Sequence, residues 1–141
     1  MSKAFLLLCC AVLISSCIPY SEQETYDKPY ESEPYERDDS IEYEETGIAS
    51  FTADEIQGKK TASGRIYNLR EMVAAHPDLP FGTLVEVTNL ENNNSVQVEI
   101  IDRGPYVQGR IIDVSFAAAK ELGFIEKGTA QVRVRVLRLG N

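Results

Sequence analysis

Between Ser95 and Asp102 apolar and polar residues alternate without a break, with Val96, Val98 and Ile100 on one parity and Gln97 and Glu99 on the other. A period of two over that length predicts a β-strand with one buried face. Gln131 to Leu137 repeats the pattern, Val132, Val134 and Val136 inward and Arg133 and Arg135 outward. Thr46 to Thr52 and Thr83 to Leu90 read as further strands, the latter with Val85 and Val87 on one face. Glu91-Asn92-Asn93-Asn94 is a turn, because Asn tolerates the left-handed conformation that hairpins need. Two short helices interrupt the strands. Leu69 to Ala75 is a helix candidate halted by Pro77 and Pro80. Ser115 caps the other, which runs from Phe116 to Leu122 and stops at Gly123. Strands punctuated in this way point to a small, mainly β barrel.

The alternation carries one chemical consequence. Asp102 shares the parity of Val96, Val98 and Ile100, so it is expected to end its strand on the apolar side. A carboxyl there is partly desolvated, the setting an acid catalyst needs. The plainer alternative is that Asp102 pairs with Arg103 or caps the loop Arg103-Gly104-Pro105. His76 is the only histidine, and without cysteine partners or an HExxH spacing it makes a poor metal site. Taken alone, between a helix and Pro77, it reads as an ordinary surface side chain. Gly-rich phosphate loops are absent, and no Ser-His-Asp arrangement follows from spacing.

Ahead of the strands the pattern changes. Lys3 precedes an unbroken apolar run of eleven residues, Ala4 to Ile14, too short to span a bilayer comfortably as a helix and typical of an export signal. Ile14-Ser15-Ser16-Cys17 resembles the lipobox of bacterial lipoproteins, so residues 1–16 are expected to be removed and Cys17 to carry acyl chains. Cleavage discards Cys9 and Cys10, leaving an exported domain with no thiol and no need of a disulfide. Ile18 lacks the Asp that holds many such proteins at the inner membrane, which points to the outer membrane, facing the periplasm.

Charge sharpens the division. The chain of 141 residues has a net charge of −8, which argues against nucleic acid as a partner. Residues 18–46 carry eleven acids and two bases, whereas residues 47–141 carry eleven of each. The acidic segment contains Pro19, Pro29 and Pro34 and five of the seven tyrosines, but almost no aliphatic side chains. It is therefore a disordered, self-repelling tether, either a plain spacer or one whose Pro-Tyr dipeptides dock a partner. The expected organisation is a signal peptide at 1–16, lipidated Cys17 with an acidic tether to residue 46, and a folded domain at 47–141.

Several runs in the folded part resemble the rare lipoprotein A (RlpA) family. They are Gly47-Ile48-Ala49-Ser50-Phe51, Gly58-Lys59-Lys60-Thr61-Ala62-Ser63-Gly64, Ala74-Ala75-His76, Leu79-Pro80-Phe81-Gly82-Thr83 and Val85-Glu86-Val87-Thr88-Asn89-Leu90. Ile101-Asp102-Arg103-Gly104-Pro105-Tyr106 and Gly109-Arg110-Ile111-Ile112-Asp113-Val114-Ser115 complete the pattern, which covers residues 47–137. The resemblance implies a six-stranded double-psi β-barrel with two short helices, preceded by a disordered linker. It also implies a peptidoglycan lytic transglycosylase that cleaves MurNAc–GlcNAc β-1,4 bonds and leaves 1,6-anhydro-MurNAc ends. One carboxyl group can run that reaction, and no metal or organic cofactor is required. Carried onto this chain, Asp102 is the acid–base group and His76 its neighbour. Arg65, Asn68, Asp78, Arg103 and Phe51 fall at substrate-binding positions. The expected partners are glycan strands, the membrane through Cys17, and cell-division proteins.

The chain departs from the family at several of these positions. Arg65 and Asn68 stand where the family places acids, Asp78 where Thr or Ser is usual, and Phe51 where a Trp would stack on sugar. Arg65 close to Asp102 would favour its ionised form and oppose acid catalysis. Two readings therefore stand: an active transglycosylase, or a catalytically impaired envelope lipoprotein that binds peptidoglycan through the same groove.

Overall fold

The computed structural model describes residues 42–141; the export signal, Cys17 and most of the acidic tether lie outside the described residues. The six strands are β1 (Glu44–Thr52), β2 (Val73–Ala75), β3 (Leu84–Asn89), β4 (Ser95–Asp102), β5 (Arg110–Ser115) and β6 (Ala130–Arg138). They close into a barrel in the order β1-β5-β2-β4-β3-β6. β1 runs parallel to β5 and β2 parallel to β4, while the other four pairings are antiparallel. Closure pairs every strand on both sides and leaves no long open edge.

The alternating valines and isoleucines fill the interior. Val85, Val87, Val98, Ile112, Val114 and Val134 are wholly buried in one cluster, β-branched side chains that suit a pleated, packed surface. Helix α1 (Phe116–Leu122) packs on β1, β4 and β5 and buries Ala118, Ala119 and Leu122. Ser115 starts it by accepting a hydrogen bond from Ala118 N at 3.2 Å, and Gly123 ends it in the left-handed conformation, φ 80°. A second, smaller apolar cluster of Tyr67, Val73 and Ile101 lies apart from the main core.

β4 has the limits that its alternation predicts, and β3 and β6 differ from expectation by one residue at each end. β1 starts earlier than expected. Glu44 and Glu45 pair with Arg135 and Val134 of β6, so the barrel takes in the last residues assigned to the tether.

The helix expected over Leu69–Ala75 does not form; among the described residues there is one α-helix and a single 3-10 turn at Asp54–Ile56. Asn68 explains part of the difference. Its Oδ1 accepts from Arg70 N at 3.0 Å and its carbonyl from Glu71 N at 3.0 Å, a local turn that takes the backbone groups a helix would use. The remaining residues, Val73–Ala75, bond instead to β4 and β5.

Candidate functional site

A register shift in the β2–β4 pairing decides where Asp102 points. Ala74 opposes Ile100, but Ala75 opposes Asp102, leaving Ile101 as the extra residue of a bulge. A bulge breaks the two-residue alternation, so Asp102 no longer follows Ile100 into the barrel. It emerges on the outer face with Ile101, and the expectation of an inward carboxyl is corrected accordingly. Asp113 of β5 also opposes Ala75, from its other side, and Ser50 of β1 follows in the same row. Two carboxyl groups therefore flank one methyl group on a single face, two strand spacings apart, about 10 Å between Cα atoms. Around them lies a shallow recess walled by Thr52, Ile56, Tyr67, Val73 and Ile101.

Backbone amides fix the Asp102 carboxyl. Its Oδ1 accepts from Arg103 N at 2.9 Å and from Ala62 N at 2.9 Å, forty residues away in sequence. Loop 61–65 is held in place to reach it, since Ser63 N donates to Ile101 O at 3.2 Å and Thr61 Oγ1 to Arg65 O at 2.8 Å. Among the described residues nothing bonds Oδ2. Asp102 thus both caps its own loop and lines the recess.

His76 is a buried side chain, 2% exposed, and not a surface one. Its backbone sits beside Asp102, His76 N donating to Asp102 O at 3.2 Å. Its ring turns elsewhere. Nδ1 accepts from Asp78 N and Leu79 N, both at 3.1 Å, which leaves the ring proton to Nε2, 3.5 Å from Glu45 Oε2. Burial pushes the imidazole below its ordinary pKa, an effect that Glu45 and Asp78 offset in part. No bond joins the ring to the Asp102 carboxyl.

Arg103 closes the same corner. Its Nη1 donates to His76 O at 3.2 Å and Leu79 O at 2.8 Å, and its guanidinium lies 3.9 Å from the centre of the Phe81 ring. Arg65 does not reach Asp102. It bonds Glu71 at 3.2 Å and Glu99 at 2.9 Å instead. Asn68 makes the turn described above, and Asp78 is exposed beside the His76 loop. Phe51 points away from the recess, edge-on to Phe116 and Phe124 at 6.1 and 6.0 Å. The structure therefore brings Arg103 and the His76 backbone to Asp102 and keeps Phe51 and the Arg65 charge away from it.

Sequence reasoning assigned no role to Asp113, Glu45 or Tyr43. Asp113 forms an ion pair with Arg110 at 2.5 Å. A signal was present, since Asp113 interrupts Ile111-Ile112 and Val114 with a charge, but its strand went unrecognised. No group of three or more His, Cys, Asp or Glu side chains that could hold a metal occurs among the described residues.

The lytic transglycolase family model matches residues 44–134. A probable endolytic peptidoglycan transglycosylase RlpA of Aquifex aeolicus is 52% identical over 94 residues, 67% of this chain and 42% of its own length. Endolytic peptidoglycan transglycosylase RlpA of Pasteurella multocida is 53% identical over 97 residues, 69% of this chain and 33% of its own. The corresponding protein of Pseudomonas aeruginosa strain UCBPP-PA14 is 48% identical over 100 residues, 71% of this chain and 29% of its own. The chain thus spans well under half the length of these curated relatives. Among solved structures, a Streptomyces papain inhibitor superimposes with a TM-score of 0.58 at 23% identity, covering 70% of this chain and 97% of its own. An expansin of Clavibacter michiganensis does so with a TM-score of 0.53 at 20% identity, covering 70% of this chain and 52% of its own. These two likenesses speak for the barrel alone. From the family match, the relatives at about half identity and the closed six-stranded barrel, the chain belongs to the RlpA family of lytic transglycolases, with its double-psi β-barrel fold.

Proposed function

We propose that this protein is an endolytic peptidoglycan transglycosylase in which Asp102 is the acid–base group. The observation that carries the reading is the asymmetry of that carboxyl, on a residue that lines the recess, with Oδ1 held by two backbone amides and Oδ2 bonded by no described residue. A carboxyl positioned by one oxygen can move a proton with the other. In the first step Oδ2–H protonates the glycosidic oxygen that leaves with GlcNAc, and the C1–O bond of MurNAc breaks. In the second, the carboxylate takes the proton of the MurNAc C6 hydroxyl as O6 bonds to C1 and closes the anhydro ring. The proton returns to Asp102 and no water is consumed. Asp113, across Ala75 in the same recess, divides its negative charge between Arg110 and the side of a sugar ring that becomes oxocarbenium-like in the transition state.

Arg65 does not contradict this reading, because its charge is matched by Glu71 and Glu99 and not by Asp102. Incubating the protein with stem-peptide-stripped glycan and analysing products by mass spectrometry tests the proposal. Glycan fragments with 1,6-anhydro-MurNAc ends are expected. Bound but uncleaved glycan would transfer support to the non-catalytic peptidoglycan-binding reading.

The lipid anchor on Cys17 and the periplasmic face of the outer membrane complete the proposal, supported by the lipobox and by Ile18 after it. Cell-division proteins are proposed as partners from the RlpA resemblance. Metabolic labelling with palmitate should mark the wild-type chain and leave Cys17→Ser unlabelled; label on the variant would overturn the anchor.

A further inference from the structure

Three groups at the start of the barrel converge on His76. The Tyr43 hydroxyl donates to Glu45 Oε2 at 2.8 Å, the same oxygen that faces His76 Nε2 at 3.5 Å. The Tyr43 ring stands edge-on to the imidazole, 79° between planes with centroids 6.4 Å apart. On the opposite edge of the imidazole, Nδ1 holds the amides of Asp78 and Leu79, so the ring is the hub of the loop that follows β2. Arg103 ties the same loop from outside through His76 O and Leu79 O. Its own amide is one of the two donors that fix Asp102. A continuous path thus runs from Glu45 through the His76 ring, loop 76–79 and Arg103 to the Asp102 carboxyl.

We propose that Glu45, oriented by Tyr43, is a positioning residue of the candidate active site. It receives the Nε2 proton that the two amides on Nδ1 dictate and so holds the ring in place, and through loop 76–79 and Arg103 it fixes the pose of Asp102. His76 is then itself a positioning residue, since its ring meets no part of the recess. This deepens the transglycosylase reading and rests on it where activity is concerned. It also makes the end of the acidic segment part of the site. The charged and titratable groups that face the imidazole are Tyr43, Glu45, Asp78 and Arg103. Burial and the bond to Glu45 push the Tyr43 phenol up to about 12, consistent with a hydroxyl that stays a donor at every physiological pH.

A single histidine makes the test direct, because the imidazole nitrogen signals in a 15N-labelled full chain have one source. The wild type should show the Nε2–H tautomer at neutral pH and a titration midpoint below the ordinary histidine value. Glu45→Gln, which keeps an acceptor but loses the charge, should retain the tautomer and lower the midpoint further. Glu45→Ala should leave the Nε2–H tautomer in place but move the Nε2 signal, and should shift the amide signals of Ala62 and Arg103, the donors to Asp102. In turnover, Glu45→Ala should lower kcat by about tenfold with KM little changed, and Glu45→Gln should recover most of the loss. Tyr43→Phe keeps the ring contact and should reproduce a weaker form of the Nε2 signal change, which guards against a poorly folded Ala variant. Unchanged imidazole, Ala62 and Arg103 signals in Glu45→Ala would overturn the proposal. So would an altered imidazole with undiminished turnover. If the wild type cleaves no glycan, the catalytic reading fails while the imidazole and amide signals still decide the link from Glu45 to Asp102.

Discussion

At the residue scale, the site depends on which groups are tied and which are left open. Asp102 is tied on one oxygen, and Asp113 is paired with Arg110 yet remains half-buried at the recess. Asp113→Asn removes the second negative charge and should lower kcat on stripped glycan by about ten- to a hundredfold. An unchanged kcat would restrict Asp113 to holding Arg110. His76 gives a pH signature for stability. Its folded-state proton affinity is lowered, chiefly by burial, so the unfolded chain binds a proton that the folded chain refuses. Its contribution is complete above the ordinary histidine pKa of about 6.5 and is lost as pH falls through the folded value. Urea midpoints of wild type and His76→Gln should therefore converge between pH 7.5 and 5, and a gap that widens on acidification would contradict the assignment. Asp102 was legible as a candidate from the sequence, but its environment was not. The bulge at Ala74–Ala75 is a relation between strands that no single-strand pattern encodes, and it carries the carboxyl to the outer face.

At the scale of elements, local signals worked where local chemistry sets the boundary. Ser115 and Gly123 bracket α1 as expected, and both now have further partners. Ser115 Oγ also donates to Glu71 O at 2.6 Å, joining the helix start to the loop before β2. Ser115→Ala should cost about 1–3 kcal/mol by removing the cap and stranding that carbonyl, read as a lower thermal midpoint. Gly123 has φ 80°, and a Cβ there would sit 2.9 Å from Asn92 Nδ2. Asn92 and Asn89 both donate to Leu122 O at 2.9 Å, so the turn after β3 packs on the helix end. Gly123→Ala should cost about 1 kcal/mol or more, since strain and crowding add. No measurable change would mean that the turn yields freely. The misread elements fail for a non-local reason. Val73–Ala75 has helix-forming neighbours but gains its hydrogen bonds from β4 and β5, partners distant in sequence. Arg110–Ser115 is short and only partly alternating, and it becomes a strand because β1 and β2 flank it.

At the scale of the molecule, the sequence separates an acidic leading segment from a charge-balanced domain, and the six-stranded barrel was legible from the family resemblance rather than from alternation alone. The junction lies slightly earlier than composition places it. Glu44 and Glu45 count toward the acidity of the tether, yet they pair with β6, and Glu45 faces His76. Charge density therefore misplaces the start of the domain, because strand pairing can absorb acids when basic residues lie across from them; Arg133 stands 4.0 Å from Glu44. The proposed function stands or falls on whether the barrel cuts glycan with Asp102. The most direct measurement is the rate of release of anhydro-MurNAc-ended fragments from stripped glycan by wild type and Asp102→Asn, with both proteins checked for the same thermal midpoint. The account predicts release by the wild type and a loss of about a hundredfold or more in the variant, the scale of a missing acid–base group. Release by Asp102→Asn at the wild-type rate would contradict it.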